Sequence, residues 1–432
     1  MEKTLVNIRK NFDAMPLVDE QLDINTGFYV DTILARTSSI FNSPLKELYN
    51  TFINNYSDFI QVLMGHNGCG KSTEINKLEL DLKKEGFSVK KFDCKTETSI
   101  NQVTVYDVLF LILQSLIEIA DEKNISFSID ENKIIEKAID YFKETEIIKT
   151  ITEESGNSVE AGAGFNFSFP NIVSLFAKGK TGIKYNTAEI QTVKEKIKLN
   201  NADLFNCIDM LSNRIFQETQ KRPIIIFEGL DKIGPSLALE IFRDGLISSE
   251  KIRTYCIFTF PISLTYDKNI GAIEHFFNKL IFPMIEVKHQ DGTINEEGVA
   301  IIKKIINKRI NHDFFEDGCI DLLIEKTGGS LRDILDVIRK SIDAAGFENS
   351  NVIKKEYVEY FLNYLKYNEY SRRIVTGEYE DLRNIHNNKT EIENKDKMLE
   401  FLRANIVLEY NGTRWHDCHP LIWDFIEENS KK

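Results

Sequence analysis

The chain has little of what marks several protein classes. Its six cysteines (Cys69, Cys94, Cys207, Cys256, Cys319 and Cys418) are scattered through 432 residues without a C-x-x-C pair. That pattern excludes a disulfide scaffold and suits reduced thiols in a cytoplasm. There is no excess of basic charge: the formal net charge is −13, which argues against a generally basic nucleic-acid binder and leaves room only for a local patch. The first residues, MEKTLVNIRKNFDAM, lack the apolar stretch of a signal peptide. No apolar run approaches the ~18 residues of a membrane span, and the longest, VLFLILQSLIEIA, is broken by Gln114 and Glu118 and reads as a buried helix. No short-period repeat is visible.

What is present begins at residue 59, in FIQVLMGHNGCGKSTEINKLEL. Gly65, Gly70, Lys71 and Ser72 satisfy G-x-x-x-x-G-K-[ST], with His66, Asn67, Gly68 and Cys69 between the glycines and Thr73 after them. Such a loop turns its backbone N–H groups towards phosphate oxygens, its lysine reaches the β and γ phosphates, and its serine hydroxyl binds the accompanying magnesium ion. The context agrees: Phe59 to Met64 reads as a buried parallel strand, and Ser72 to Lys84 repeats apolar residues at Ile75, Leu78 and Leu82 as a helix does. ATP and Mg²⁺ are therefore the expected ligands.

Further strands are expected at FSVKKFDC, at Ile224 to Phe227 and at Thr254 to Phe260. Thr104 with Asp107 forms a capping-box pattern that opens a helix at 105–121. Short apolar strands alternating with helices, with a phosphate loop after the first, predict a three-layer α/β domain around a parallel sheet. At the end of the 224 strand, Glu228, with Asp231 three residues on, is placed to hold magnesium beside the loop. Thr259 ends the next strand and is a candidate to reach the γ phosphate or the attacking water.

From about residue 295 the texture becomes helical. Ser330 and Asp333 form a second capping-box pattern, which sets Arg332 in the first turn of its helix as a closing cation for bound phosphate. Towards the C-terminus KDKMLEFLRANI is followed by IVLEYNGTRWHDCHP, which alternates around Asn411-Gly412 as a hairpin does. Helices before such a hairpin suggest a winged helix. His416, Cys418 and His419 lack the spacing of a metal site, and the segment mixes acids with bases rather than presenting a basic face. Residues 150–190, rich in Gly, Ser and Asn but carrying Phe165, Phe167 and Phe169, read as an insertion and an interaction element. The expected division is an N-terminal segment (1–26), a P-loop core (27–292) with that insertion, a helical lid (293–365) and a winged-helix domain (366–432).

Taken together, GHNGCGKSTE, IIIFEGLDKI, IFTFPISL and GGSLRDIL resemble the AAA+ branch that includes origin-recognition-type initiator ATPases. They are also similar to the signal-transducing ATPases with numerous domains, and nearest to bacterial P-loop ATPases of that branch ending in a wing. The resemblance spans about Gly27 to Trp423. It implies that Gly65–Ser72 form the Walker A loop, that Glu228 takes the Walker B position, and that Thr259 and Arg332 act as sensors 1 and 2. It also sets GFYVDTILARTSS, with Tyr29 and Arg36, near the adenine. The function implied is an ATP-binding, slowly hydrolysing switch that acts on a protein partner or through self-assembly, in bacterial defence or signalling. The alternative is an initiator or transposition-type ATPase whose winged helix grips duplex DNA. Two departures weaken fast hydrolysis and a ring motor: Gly229 stands where many relatives carry a second acid, and no arginine lies between Arg253 and Arg309, leaving Lys279 as the nearest cationic substitute.

Overall fold

A computed structural model describes residues 5–37, 43–94, 105–140, 202–232, 235–243, 245–410 and 414–430. The 150–190 insertion with its phenylalanines, Thr104 of the first capping box and the Asn411-Gly412 turn lie outside the described residues.

The sheet comprises β1 (Ile60–Gly65), β2 (Val89–Asp93), β3 (Ile224–Glu228), β4 (Tyr255–Pro261) and β5 (Asn278–Phe282), all parallel, in the order β2-β3-β4-β1-β5. Side chains alternate between its faces, so each strand feeds two cores. On one face Ile60, Val62, Met64, Ile225, Phe227, Cys256, Phe258 and Phe260 pack against α-helices Val105–Glu122, Ile129–Asp140 and Ala202–Thr219. The apolar run singled out in the sequence is the first of these helices, buried on almost every side. On the other face Leu63, Ile224, Ile226, Tyr255, Ile257 and Leu280 meet the helices Pro44–Ile53 and Lys71–Lys84. The result is the expected three-layer P-loop fold. The fifth strand was not foreseen: a short edge strand beginning Asn-Lys carries little of the apolar signature of a central one.

Helices Glu296–Asn307, Cys319–Thr327, Leu331–Phe347 and Lys355–Leu365 form the lid. The C-terminal winged-helix unit follows, with helices Tyr379–Asn388 and Lys395–Arg403, the antiparallel hairpin β6 (Val407–Tyr410) and β7 (Trp415–Cys418), and a last helix Pro420–Ser430. These two parts share a single apolar cluster, which also takes in Leu5, Ile8 and Phe12 of the N-terminal segment. The hairpin reaches the opposite way as well: Leu408, Tyr410 and Trp415 join the sheet's second core beside the phosphate loop. Sheet, lid and wing are thereby packed as neighbours around one loop.

The capping box expected at Ser330 needs correction. Ser330 is the N-cap of its helix, but its side chain makes no cap hydrogen bond. Asp333 instead accepts from Tyr370 Oη (2.6 Å) and lies 3.5 Å from His419 Nε2 of the C-terminal unit. A half-buried carboxylate beside a phenol, an imidazole and the Ser330 hydroxyl gains more from those partners than from one solvent-competing backbone N–H.

Candidate nucleotide site

The carboxyl end of β1 runs into the loop, and the loop into helix Lys71–Lys84, whose N-cap is Gly70. Gly68 adopts φ +85°, and a Cβ there would come within 2.9 Å of the Cβ of Arg332. Only glycine lets the lid's helix start seat this closely on the loop, where Arg332 N donates to Gly68 O at 3.3 Å.

Lys71 is buried and held three ways: Nζ donates to Gly65 O and His66 O, both at 2.9 Å, and pairs with Asp231 Oδ2 at 3.0 Å. Burial works against its charge, yet Asp231 and its surroundings leave the ammonium's pKa raised. Glu228 ends β3 with its carboxyl pushed up by burial and pulled back by a hydrogen bond from Ser72. Ser72 and Glu228, expected as the magnesium ligands, thus already face one another. Their hydroxyl and carboxylate oxygens are the donors a hard divalent cation takes, so the pair fits that ion.

These residues line one end of a cavity of about 530 Å³ with His66, Asn67, Gly68, Gly70, Thr73, Asp93, Lys232 and Arg332. The remaining lining comes from Ala14–Leu17, Phe28–Val30, Thr32, Arg36, Glu74, Ile305, Arg309, Leu331 and Leu335. The phosphate loop, strand-end acids and lid arginine foreseen from sequence are therefore brought together. The contributions of Ala14–Leu17 and Arg309 were not foreseen, and no local pattern marks them. Leu17 is tied to the loop's helix by Leu17 N donating to Thr73 Oγ1 (3.1 Å) and by Asn76 Nδ2 donating to Leu17 O (2.8 Å).

Three expected site residues sit differently from the simplest expectation. Thr259 is only 1% exposed and is not among the cavity's lining; its hydroxyl accepts from Gly229 N at 3.0 Å, so it positions the turn after β3. Tyr29 lines the cavity, but its hydroxyl donates to buried Glu74 at 2.8 Å. Arg36 braces the loop rather than offering itself to a ligand: Nε donates to Thr32 Oγ1 (2.8 Å), Nη1 to Pro283 O (2.5 Å) and Nη2 to Cys69 O (2.6 Å). Lys279 pairs with Glu274 at 3.0 Å.

The wing touches the same loop. His66 is 1% exposed; Glu409 N of β6 donates to its Nε2 at 2.8 Å, and its Nδ1 lies 3.3 Å from Asn405 Oδ1. Asn405 Nδ2 donates in turn to Asn67 O at 2.8 Å, and Tyr410 Oη donates to Gly328 O of the lid, also at 2.8 Å. Both ring contacts suit the neutral imidazole with Nδ1 protonated, and burial pushes the His66 pKa down to about 4. His416, Cys418 and His419 have separate partners: His416 Nε2 meets Tyr266 Oη (2.9 Å) and Glu409 Oε2 (3.2 Å), Cys418 Sγ faces Leu382 O, and His419 stacks on Tyr370. Among the described residues no three His, Cys, Asp or Glu side chains cluster as metal ligands, and no helix is long and apolar enough to cross a membrane.

No family model and no curated protein matches the chain. Among solved structures it is similar to the Aeropyrum pernix ORC2 protein in its ADP form, at 11% identity and a TM-score of 0.44, over 98% of this chain and 97% of that one. CDC6P from Pyrobaculum aerophilum follows at 11% identity and 0.39, over 93% and 99% of the two chains. The Thermotoga maritima RuvB Holliday junction branch migration motor gives 10% and 0.36, over 91% and 98%. At such identities and TM-scores the likenesses carry no argument about activity, which has to rest on the chain's own residues.

Proposed function

We propose that this chain is an AAA+-type ATPase that binds ATP with magnesium, hydrolyses it slowly when alone, and uses the bound state to govern contact with a protein partner or a second copy of itself. The observation that carries the reading is the meeting of Lys71, Ser72, Glu228, Asp231 and Arg332 around one end of a single cavity. Lys71 would exchange Asp231 for phosphate oxygens, and the loop's N–H groups would hold the rest of the chain of phosphates. Ser72 and Glu228 would hold the magnesium ion, which supplies charge neutralisation on the phosphates. Arg332 adds a cation from the lid, so that closing the lid and stabilising charge are one event.

The slow rate follows from what surrounds that end. Gly229 follows Glu228, so no second acid orients water from that position, and the lid contributes Arg332 to this end of the cavity. On the division at about residues 292 and 365, lid and wing both touch the core's phosphate loop, so a change at the loop would be felt by both. The wing's strands are turned inwards, with all four residues of β6 buried. This favours a switch read by a protein over a wing that grips duplex DNA.

The test is thermal. ATP with magnesium should raise the melting temperature of the wild type, because a ligand bound only by the folded state adds RT ln(1 + [L]/Kd). Lys71→Ala should weaken binding on the order of a hundredfold, by loss of charge-assisted bonds to phosphate. An ATP-induced shift of equal size in both proteins would overturn the assignment. Duplex binding that falls steeply with salt would instead favour the initiator reading.

A further inference from the structure

Two arginines are buried beside this cavity without a salt bridge among the described residues, and they differ in one respect. Arg36, 3% exposed, spends its guanidinium on three oxygens, as given above. Arg309, 8% exposed, does not. It follows the lid helix Glu296–Asn307, and its Nη1 donates back to Ile305 O at 2.9 Å and to Phe28 O at 3.5 Å. Its guanidinium carbon lies 5.1 Å from the centroid of the Phe28 ring. Its Nε is buried with no hydrogen-bond partner. A guanidinium kept from water with an unsatisfied donor is costly to the folded state, so the residue needs a reason to be there.

The backbone fixes where Arg309 sits. Asn11 Nδ2 donates to Arg309 O at 3.1 Å, which ties the lid to the N-terminal segment just before Ala14–Leu17, and Arg309 shares the cavity lining with those residues and with Phe28, Tyr29 and Val30. Most of the side chains beside Arg309 are apolar, whereas the phosphate end already holds Lys71 and Arg332. An arginine only donates, so its counterpart must be an acceptor, and the nucleoside part of a nucleotide presents ring nitrogens and ribose oxygens. Resting on the nucleotide-site reading above, we propose that Arg309 is a nucleoside-recognition residue, which donates from the lid to an acceptor on the base or ribose. It thereby makes lid position depend on the nucleoside as well as on the phosphates.

The experiment compares wild type, Arg309→Met and Arg309→Lys by calorimetric titration with MgATP and with ADP, and by melting without nucleotide. The methionine keeps much of the packing volume without the charge. Because the contact is common to both nucleotides, Arg309→Met should weaken ATP and ADP by the same factor, about tenfold, while the nucleotide-free melting temperature stays level or rises. Arg309→Lys should recover part of the affinity. Unchanged affinity in both variants overturns the proposal, as does a loss confined to ATP, which would place the arginine on the γ phosphate. Lower nucleotide-free melting with unchanged affinity would assign Arg309 to packing and overturn it too. A wild type that binds neither nucleotide would sink the site reading itself, an outcome distinguishable from all of these.

Discussion

The two ends of the cavity are built by different means. The phosphate end is almost one piece of sequence: nine consecutive residues, Gly65 to Thr73, make the loop and start its helix, and its lysine is already bonded to two carbonyls and an aspartate. The nucleoside end is gathered from Ala14–Leu17 and Phe28–Val30 near one end of the chain and from Ile305 and Arg309 far along it. One end is fixed by local backbone geometry and exists once strand and helix exist. The other exists only when the N-terminal segment, core and lid are packed together, and it is lined by Arg309, whose Nε is left unsatisfied. Nucleotide should therefore find its phosphate site ready and complete the nucleoside site by holding the lid in place, which makes the second end the conformationally informative one.

The sharpest way to separate binding from chemistry acts at the phosphate end. Glu228→Gln keeps the size of the side chain and a hydrogen-bonding partner for Ser72, so nucleotide affinity should change little. Steady-state phosphate release should fall by about a hundredfold or more, since positioning and electrostatics supply nearly all of phosphoryl-transfer catalysis. The wild-type rate should itself lie below about one per second. Release of tens per second from the isolated wild type would replace the switch with a motor, and a variant at the wild-type rate would remove Glu228 from the chemistry.

The same contrast decides what the sequence reveals. Loop, helix and strand-end acid are legible because each is a local pattern: a glycine spacing, a 3.6-residue period, an apolar run closed by Glu228. The first four strands, the lid helices and the hairpin strands are legible for the same reason. Illegible were β5, whose edge position leaves mixed burial along it, and the partnerships of Arg36, Arg309 and His66, which span tens to hundreds of residues. Asp333 shows the limit from the other side, since its spacing from Ser330 has the form of a cap while tertiary partners take the carboxylate. Thr259 likewise has the expected place on its strand, but its hydroxyl is engaged by Gly229 N.

The wing gives the phosphate end a long-range contact through a titratable side chain, and pH should expose it. His66 faces Glu409, Lys71 and His416, and burial outweighs the attraction of Glu409 to leave its pKa at about 4. The ordinary value is near 6.5. Since the unfolded chain binds the proton more readily, the stability held through neutral His66 is fully present above about pH 6.5. It is lost as pH falls through the folded value, a loss on the order of 3 kcal/mol at most. Protonation would also take the lone pair that accepts from Glu409 N. Denaturant unfolding between pH 7 and 4.5 should therefore show a steeper loss in wild type than in His66→Gln, whose amide does not titrate. Parallel pH profiles would mean that the imidazole contact contributes nothing to holding wing and loop together.

The smallest effect is expected at Gly229, and it tests why no acid directly follows Glu228. Gly229 has φ +88°, a conformation in which a side chain costs about 1–2 kcal/mol, and its N–H is engaged by Thr259 Oγ1 at 3.0 Å. A residue with a Cβ must either bear that strain or rotate the peptide and release Thr259. Gly229→Ala should thus lower unfolding stability by about that amount while nucleotide affinity stays within a fewfold of wild type. Gly229→Glu, which inserts the missing acid, should suffer the same penalty without a large gain in turnover, because the turn does not offer its side chain the geometry of an ordinary strand end. If Gly229→Glu is as stable as wild type and hydrolyses ATP at least tenfold faster, the backbone is not what would account for the slow rate proposed above. The slow rate would then trace to the absence of the carboxylate alone.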